Sequence, residues 1–178
     1  MARLPVLDRR ARRRRHVVRI VFVCLGNICR SPTAEGVMRH AAARAGVDVT
    51  LDSAGTGNWH VGEPPDPRTI RAAKQRGYAL DDLRGRQFGI QDFHDFDLIV
   101  AMDRSNLDAI TRLAKQCPGP VPPIRMLRSF DPTSDPDADV PDPYSGGARG
   151  FEEVLEICER ACAGLLDHVR AQRASVGS

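Results

Sequence analysis

No stretch of this sequence stays apolar for the roughly 20 residues that crossing a bilayer takes; the longest apolar run is far shorter. No apolar leader precedes the first cysteine, and the five cysteines are odd in number and irregularly spaced. Those features argue against a disulfide framework and predict reduced thiols in a cytoplasmic protein. His40, His60, His94 and His168 lack metal-ligand spacing, and "SFDPTSDPDAD" lacks the glycine and terminal glutamate of a calcium-binding EF-hand loop. Neither a metal nor a cofactor is called for. Internal repeats and a domain break are also missing. A real basic excess is missing too. The formal net charge is +3, but residues 1–15 hold seven arginines against one aspartate, leaving 19 basic and 22 acidic residues in the rest. The run "RRARRRR" repels itself, so residues 1–15 read as a disordered tail. The folded part, 16–178, is slightly acidic and does not read as a nucleic-acid-binding domain.

What is present is an ordinary globular balance, 42% hydrophobic and 28% charged over 178 residues, enough for one domain with a real core. Strand and helix patterns alternate along it. "HVVRIVFV" (16–23) is β-branched and apolar almost throughout, as a strand buried on both faces should be. Ser31 reads as a helix N-cap with Pro32 at the first helical position, and the helix runs to Gly46. A second strand over 47–55 is followed by a long Gly- and Pro-rich loop and a helix over 67–76. A third strand (96–103), a helix through "RSNLDAITRLAK", a fourth strand (123–130) and an acidic irregular loop (131–150) complete the pattern up to a last helix from near Phe151. Val154, Ile157, Cys158, Ala161, Leu165, Leu166 and Val169 share one face of that helix. The order predicts an α/β fold, a four-stranded parallel sheet with helices on both faces and right-handed crossovers.

Ligands of such sheets bind beyond the carboxyl ends of the strands. "CLGNICR", Cys24 to Arg30, lies there, between the first strand and the first helix. A loop of this length can curl its backbone N–H groups inward as an anion nest, and the helix N-terminus adds partial positive charge. Gly26 and Asn27 tolerate the left-handed conformations such a curl requires. Arg30 adds a planar fork matched to phosphate oxygens. The segment is built for a tetrahedral oxyanion. A helix N-terminus and a neighbouring arginine also favour the thiolate, so Cys24 becomes a nucleophile facing bound phosphate, with the Ser31 hydroxyl placed to hydrogen-bond it. Phosphoryl transfer through a thiolate further needs an acid for the leaving oxygen. Asp142, in "DVPDPYSG", is the candidate; Asp131, Asp135, Asp137 and Asp139 are rivals in the same loop, and Tyr144 could flank an aromatic substrate.

"VCLGNICRSP" with a late "DPY" resembles the low-molecular-weight protein tyrosine phosphatases, over about residues 17–172. "SAGTGNWHVG" and "RMLRSFDP" resemble especially the actinobacterial secreted-type members. The resemblance implies a protein tyrosine phosphatase acting on phosphotyrosine-containing proteins without a cofactor. It makes Cys24 the nucleophile, Arg30 the phosphate clamp and Asp142 the general acid. Leu25, Gly26, Ile28 and Cys29 complete the phosphate loop, Ser31 tunes the thiolate, Asn27 holds the loop's shape and Ser53 supports Asn27. Trp59 and Tyr144 wall the slot for the phosphotyrosine ring. Two departures stand out. Leu83 occupies the place of a histidine that helps hold the asparagine in many members, and Ser145 replaces a second aromatic after Tyr144.

Two other chemistries run on the same fold. Arsenate reductases need two further cysteines on a mobile segment, whereas Cys117 stands alone and Cys158 and Cys162 read as core. Phosphoarginine phosphatases typically carry threonine where this chain has Ile28, and an apolar Ile28 beside Trp59 suits an aromatic ring better than a guanidinium. A catalytically dead phosphate-binding module would not need nucleophile, arginine and acid together. Cys29 reads either as a small filler beneath the loop or as a redox partner, capturing an oxidised Cys24 as a disulfide that thioredoxin-like reductants reopen.

Overall fold

A computed structural model describes residues 17–176, so the basic tail lies outside the described residues. The predicted first strand is the centre of the sheet. β1 (Val18–Cys24) pairs in parallel with β2 (Val49–Gly55) on one side and β3 (Leu98–Ala101) on the other; β4 (Ile124–Met126) adds to β3, for the order β2-β1-β3-β4. Successive β1 side chains enter opposite cores, as strand geometry requires. Ile20, Phe22 and Cys24 join the core under α1 (Arg30–Ala45), α2 (Pro67–Gln75) and α5 (Ala148–Val176). Val21 and Val23 join the core under α3 (Asp92–Asp95) and α4 (Arg104–Ala114). The chain leaves β1 for β2 on one side and reaches β3 on the other, so the crevice between the ends of β1 and β3 is a topological switch point, where ligands of such sheets bind.

The expected four parallel strands and two helical faces are present, with local corrections. The predicted strand over 123–130 is extended only to Met126; Leu127–Phe130 is a 3₁₀ turn. Leu127 and Phe130 both enter the core packed by α5, and residues three apart share a face on a turn but not on a strand. The Ser129 hydroxyl donates to the Met126 carbonyl at 2.7 Å and tightens that turn. α3 is a short helix that the sequence pattern does not announce, and α5 starts three residues before Phe151. On α5 all seven residues of the predicted apolar face are buried, Cys158 completely, as is Cys162 beside them, and burial pushes both thiols up. Met102 is likewise core. His40 is exposed on α1, whereas His168 is half-buried against Phe130, and burial pulls it down.

Candidate active site

α1 does not begin as the sequence suggests. Cys29 occupies the N-cap position without a side-chain cap, and Ser31 lies inside the first turn. Its hydroxyl faces inward, 3.0 Å from Cys24 Sγ and 3.3 Å from the Ala54 carbonyl, and receives the Asn27 Nδ2 donor at 2.9 Å. Satisfying that buried network outweighs capping the helix.

Between Cys24 and Arg30 the backbone carbonyls are tied to their surroundings. Those of Cys24 and Leu25 accept from the N–H groups of Thr56 and Gly57 at 2.8 and 2.9 Å, and that of Ile28 from Asp66 at 2.8 Å. The Cys29 carbonyl accepts from Thr33, by the hydroxyl at 2.7 Å and the N–H at 3.3 Å. N–H and C=O of a trans peptide point opposite ways, so the N–H groups that follow these carbonyls turn toward the loop's interior. The Asn27 N–H itself donates to Cys24 Sγ at 3.2 Å. Asn27 has φ +58°, the one left-handed non-glycine among the described residues, as predicted for this curl. Gly26 does not share that conformation. Its missing side chain instead makes room for His60, whose Cδ2 would lie 3.2 Å from a Cβ there. Gly55 is needed for a similar reason, since a Cβ would come within 2.7 Å of the Leu25 carbonyl oxygen.

Asn27 is fully satisfied. Nδ2 reaches Ser31 and, at 3.0 Å, the Ser53 hydroxyl; Oδ1 accepts from the Arg86 N–H at 3.0 Å. The support that a histidine would give is thus supplied by a backbone donor, and Leu83 packs against the apolar core instead. Behind Ser53, the buried carboxylate of Glu35 accepts the Ser53 hydroxyl at 2.7 Å and is paired with Arg39 at 2.9 Å. Burial holds the Glu35 carboxyl above its ordinary range, against the pull of Ser53 and Arg39.

Arg30, 3% exposed, completes the ring. Nη1 pairs with Asp103 and donates to the Val140 carbonyl at 3.2 Å; Nη2 pairs with Asp142 at 3.0 Å. Asp103 sits just after β3, across the switch point from Cys24, and caps α4 by accepting the Asn106 N–H at 2.7 Å. The other carboxylates of the acidic loop are engaged elsewhere. Asp131 is buried on Thr133 and Arg160, Asp135 accepts from the Asp137 N–H, Asp137 pairs with Arg104, and Asp139 accepts the Arg104 N–H. Asp142 alone of the five lines the cavity above the loop.

That cavity is about 400 Å³, floored by Cys24, Ile28, Cys29 and Arg30 and walled by Trp59, His60, Asp142 and Tyr144. Trp59 and Tyr144 stand 67% and 52% exposed, so they form its mouth rather than a deep slot. The indole lies over Gly57, where a Cβ would fall 1.9 Å from the ring, and Tyr144 is backed by the Arg68 guanidinium at 5.5 Å. Ser145, at the site of the missing second aromatic, also borders the opening. The structure therefore brings every predicted site residue to the cavity or its supports. The sequence reading missed Asp103, His60, Glu35, Gly57 and the Arg86 N–H. Asp103 could have been found from its place at the carboxyl end of β3; backbone donors and glycine clearances leave no sequence signal.

A sequence model of the low molecular weight phosphotyrosine protein phosphatase family matches residues 19–175. The chain belongs to this family. It is 50% identical over 157 residues to the low molecular weight protein-tyrosine-phosphatase of Streptomyces coelicolor, covering 86% of this chain and 94% of that one. The crystal structure of YfkJ from Bacillus subtilis superposes with a TM-score of 0.81 at 38% identity, covering 89% and 98% of the two chains. That of a Drosophila arginine phosphatase superposes with a TM-score of 0.79 at 36% identity, covering 84% and 96%. Fold alone thus does not separate these chemistries, and the phosphatase site itself must. Cys158 and Cys162, sealed in the core on one continuous helix, are unlike the mobile relay cysteines an arsenate reductase requires.

Proposed function

We propose that the protein hydrolyses phosphotyrosine in other proteins through a cysteinyl-phosphate intermediate. The observation that carries this is the meeting of Cys24 Sγ, held by Ser31 and the Asn27 N–H, with the Arg30–Asp142 pair at one cavity. The phosphoryl group enters the ring of N–H groups and takes Arg30 Nη2, displacing Asp142 from it, and the freed carboxylate takes up the proton of the phosphate monoester monoanion. The Cys24 thiolate attacks phosphorus; the S–P bond forms as the P–O bond to the aryl group breaks, and Asp142 gives the leaving oxygen its proton. Water then attacks the same phosphorus, Asp142 takes a proton from it, and the S–P bond breaks to release phosphate and the thiolate. The apolar Ile28 on the floor favours an aromatic ring over a guanidinium, and Trp59 and Tyr144 at the mouth offer that ring stacking contacts.

The test is a side-by-side assay of p-nitrophenyl phosphate, phosphotyrosine and phosphoserine peptides, phosphoarginine and thioredoxin-coupled arsenate reduction. The expected result is turnover of the two aryl phosphates, with phosphoserine and phosphoarginine slower by roughly tenfold or more for want of ring contacts. Equal kcat/KM on phosphoserine and phosphotyrosine peptides would sink the specificity reading. The cytoplasm is the proposed place of action, because a free nucleophilic thiol stays reduced there.

Cys29 is proposed as a redox partner of Cys24. Both thiols line the cavity, but burial pushes Cys29 up to about 12, opposed by the Thr69 hydroxyl, so Cys29 stays protonated and Cys24 oxidises first. Peroxide converts the Cys24 thiolate to a sulfenic acid with loss of hydroxide; Cys29 sulfur then attacks it, the S–S bond forms and water leaves. Wild-type activity should return fully with dithiothreitol after a peroxide pulse, and bound phosphate should protect it. Cys29→Ser should keep most activity in reducing buffer but recover poorly after the same pulse. Full recovery of that variant would leave Cys29 as packing.

A further inference from the structure

Exposed apolar side chains are few here and unevenly placed. Among the described residues six large ones stand exposed: Val17, Leu25, Trp59, Val61, Val121 and Tyr144. Leu25, Trp59 and Tyr144 line the cavity, and Val61 follows Trp59 by two residues without lining it. Three of the six therefore gather about one opening, and Val61 directly follows His60, which lines the same opening; clustering of this kind distinguishes a binding surface from scattered surface residues.

Val61 is also held rigidly in place. It is the second residue of a four-residue turn, His60–Glu63, closed by the Glu63 N–H on the His60 carbonyl at 3.1 Å. The third residue, Gly62, has φ +83°, the conformation a type II turn demands at that position. A side-chain bond closes the same turn, His60 Nδ1 to Glu63 Oε2 at 2.6 Å. Two backbone bonds of 2.8 Å hang it from Gly85, Gly62 N–H to the Gly85 carbonyl and Gly85 N–H to the Glu63 carbonyl. A Cβ on Gly85 would lie 2.3 Å from the His60 carbonyl oxygen, so the approach is too close for any other residue. The next residue, Arg86, is the one whose N–H holds Asn27. One strap thus fixes both the phosphate loop and this turn, and the turn presents a branched aliphatic side chain, 56% exposed, one residue on from the cavity-lining His60.

Resting on the phosphotyrosine reading above, we infer that Val61 is a specificity-determining contact for the substrate polypeptide: it takes an apolar side chain within two residues of the phosphotyrosine. The occupant follows from continuity. The ring that Trp59 receives belongs to a chain that must run on past the cavity mouth, and Val61 is the apolar surface next along this loop. Because the turn is ordered before binding, covering it adds apolar burial with little loss of conformational freedom.

The experiment compares phosphotyrosine peptides carrying leucine, alanine or aspartate at each of the two flanking positions on either side, with p-nitrophenyl phosphate as a substrate that has no flank. The expected wild-type result is a kcat/KM higher by roughly tenfold for leucine over alanine at one position, the scale for covering one aliphatic side chain. Val61→Asp should abolish that preference while changing p-nitrophenyl phosphate turnover by no more than about twofold, and Val61→Leu should keep the preference. Equal wild-type rates on leucine- and alanine-flanked peptides, or a preference that survives Val61→Asp, would overturn the inference. So would a wild type that sediments as a dimer and a Val61→Asp monomer with unchanged peptide selectivity, which would give the turn to self-association. A wild type inert toward p-nitrophenyl phosphate would overturn the phosphatase reading and this inference with it.

Discussion

Cys24→Ser should abolish turnover of every phosphate ester while leaving the phosphate cradle able to bind. A serine hydroxyl in this place lacks the acidity of a thiol and forms no thiolate-like nucleophile, and losing a nucleophile costs on the order of 10⁴-fold or more in kcat. The cradle itself does not need sulfur. Its carbonyls are anchored to Thr56, Gly57, Asp66 and Thr33, and its curl is held through Asn27 by Ser31, Ser53 and Arg86. Inorganic phosphate or vanadate should therefore still bind Cys24→Ser in a titration followed by calorimetry or thermal shift. Arg30→Lys should lose the same cradle from the other side. An ammonium cannot bond Asp103, Val140 and an incoming phosphoryl oxygen in one plane as the guanidinium can, and removing such a preorganised donor costs roughly 10²–10³-fold. Retained turnover in Cys24→Ser, or loss of phosphate binding in a folded Cys24→Ser protein, would contradict the assignment.

The four parallel strands and the loop were legible because each rests on local chemistry, whereas the strand order came only from the structure. "HVVRIVFV" reads as a doubly buried strand, and a cysteine, glycine, asparagine and arginine between it and a helix fit an anion nest. Ser31 shows where local reasoning fails. As residue and position it fits an N-cap, but its hydroxyl is claimed by Cys24, Asn27 and the Ala54 carbonyl. Helix capping contributes about 1 kcal/mol, and leaving several buried polar groups unsatisfied costs more. "RMLRSF" fails in a similar way. Its apolar residues suit a strand by composition, yet Leu127 and Phe130 must reach one core from positions three apart. The acid could not be chosen among five aspartates by spacing. In the structure the other four have partners elsewhere, Asp131 with Arg160 and Asp137 with Arg104 among them, and Asp142 is the one that lines the cavity, which is why it is proposed.

Asp103 changes what Arg30 can be said to do. With Nη1 occupied by Asp103 and Val140 on one side, the guanidinium cannot rotate, and only its Nη2 edge faces a carboxylate that is itself 46% exposed. The buried arginine is thus held by one aspartate and lent to another. Because the Asp142 loop is anchored next to it through Val140, whose N–H donates to the Met102 carbonyl at 2.8 Å, the exchange needs only a side-chain movement.

Asp142→Asn is the variant that separates those two relations. In its proposed role of general acid, Asp142 matters in proportion to how badly the leaving group needs a proton. Asparagine should lower kcat by roughly 10²–10³-fold on phosphotyrosine peptides, and much less on p-nitrophenyl phosphate, whose phenolate leaves readily without protonation. As the partner of Arg30 Nη2, the same carboxylate competes with phosphate for one donor. A neutral amide still accepts the Tyr144 N–H through its oxygen, so the loop keeps its turn, but it no longer holds the guanidinium as an anion does. Inorganic phosphate should therefore inhibit Asp142→Asn more strongly than wild type, in the direction opposite to the loss of kcat. A variant with slower phosphotyrosine turnover and weaker phosphate inhibition would show that Asp142 only shapes the loop. Undiminished turnover would move the acid role to another group altogether.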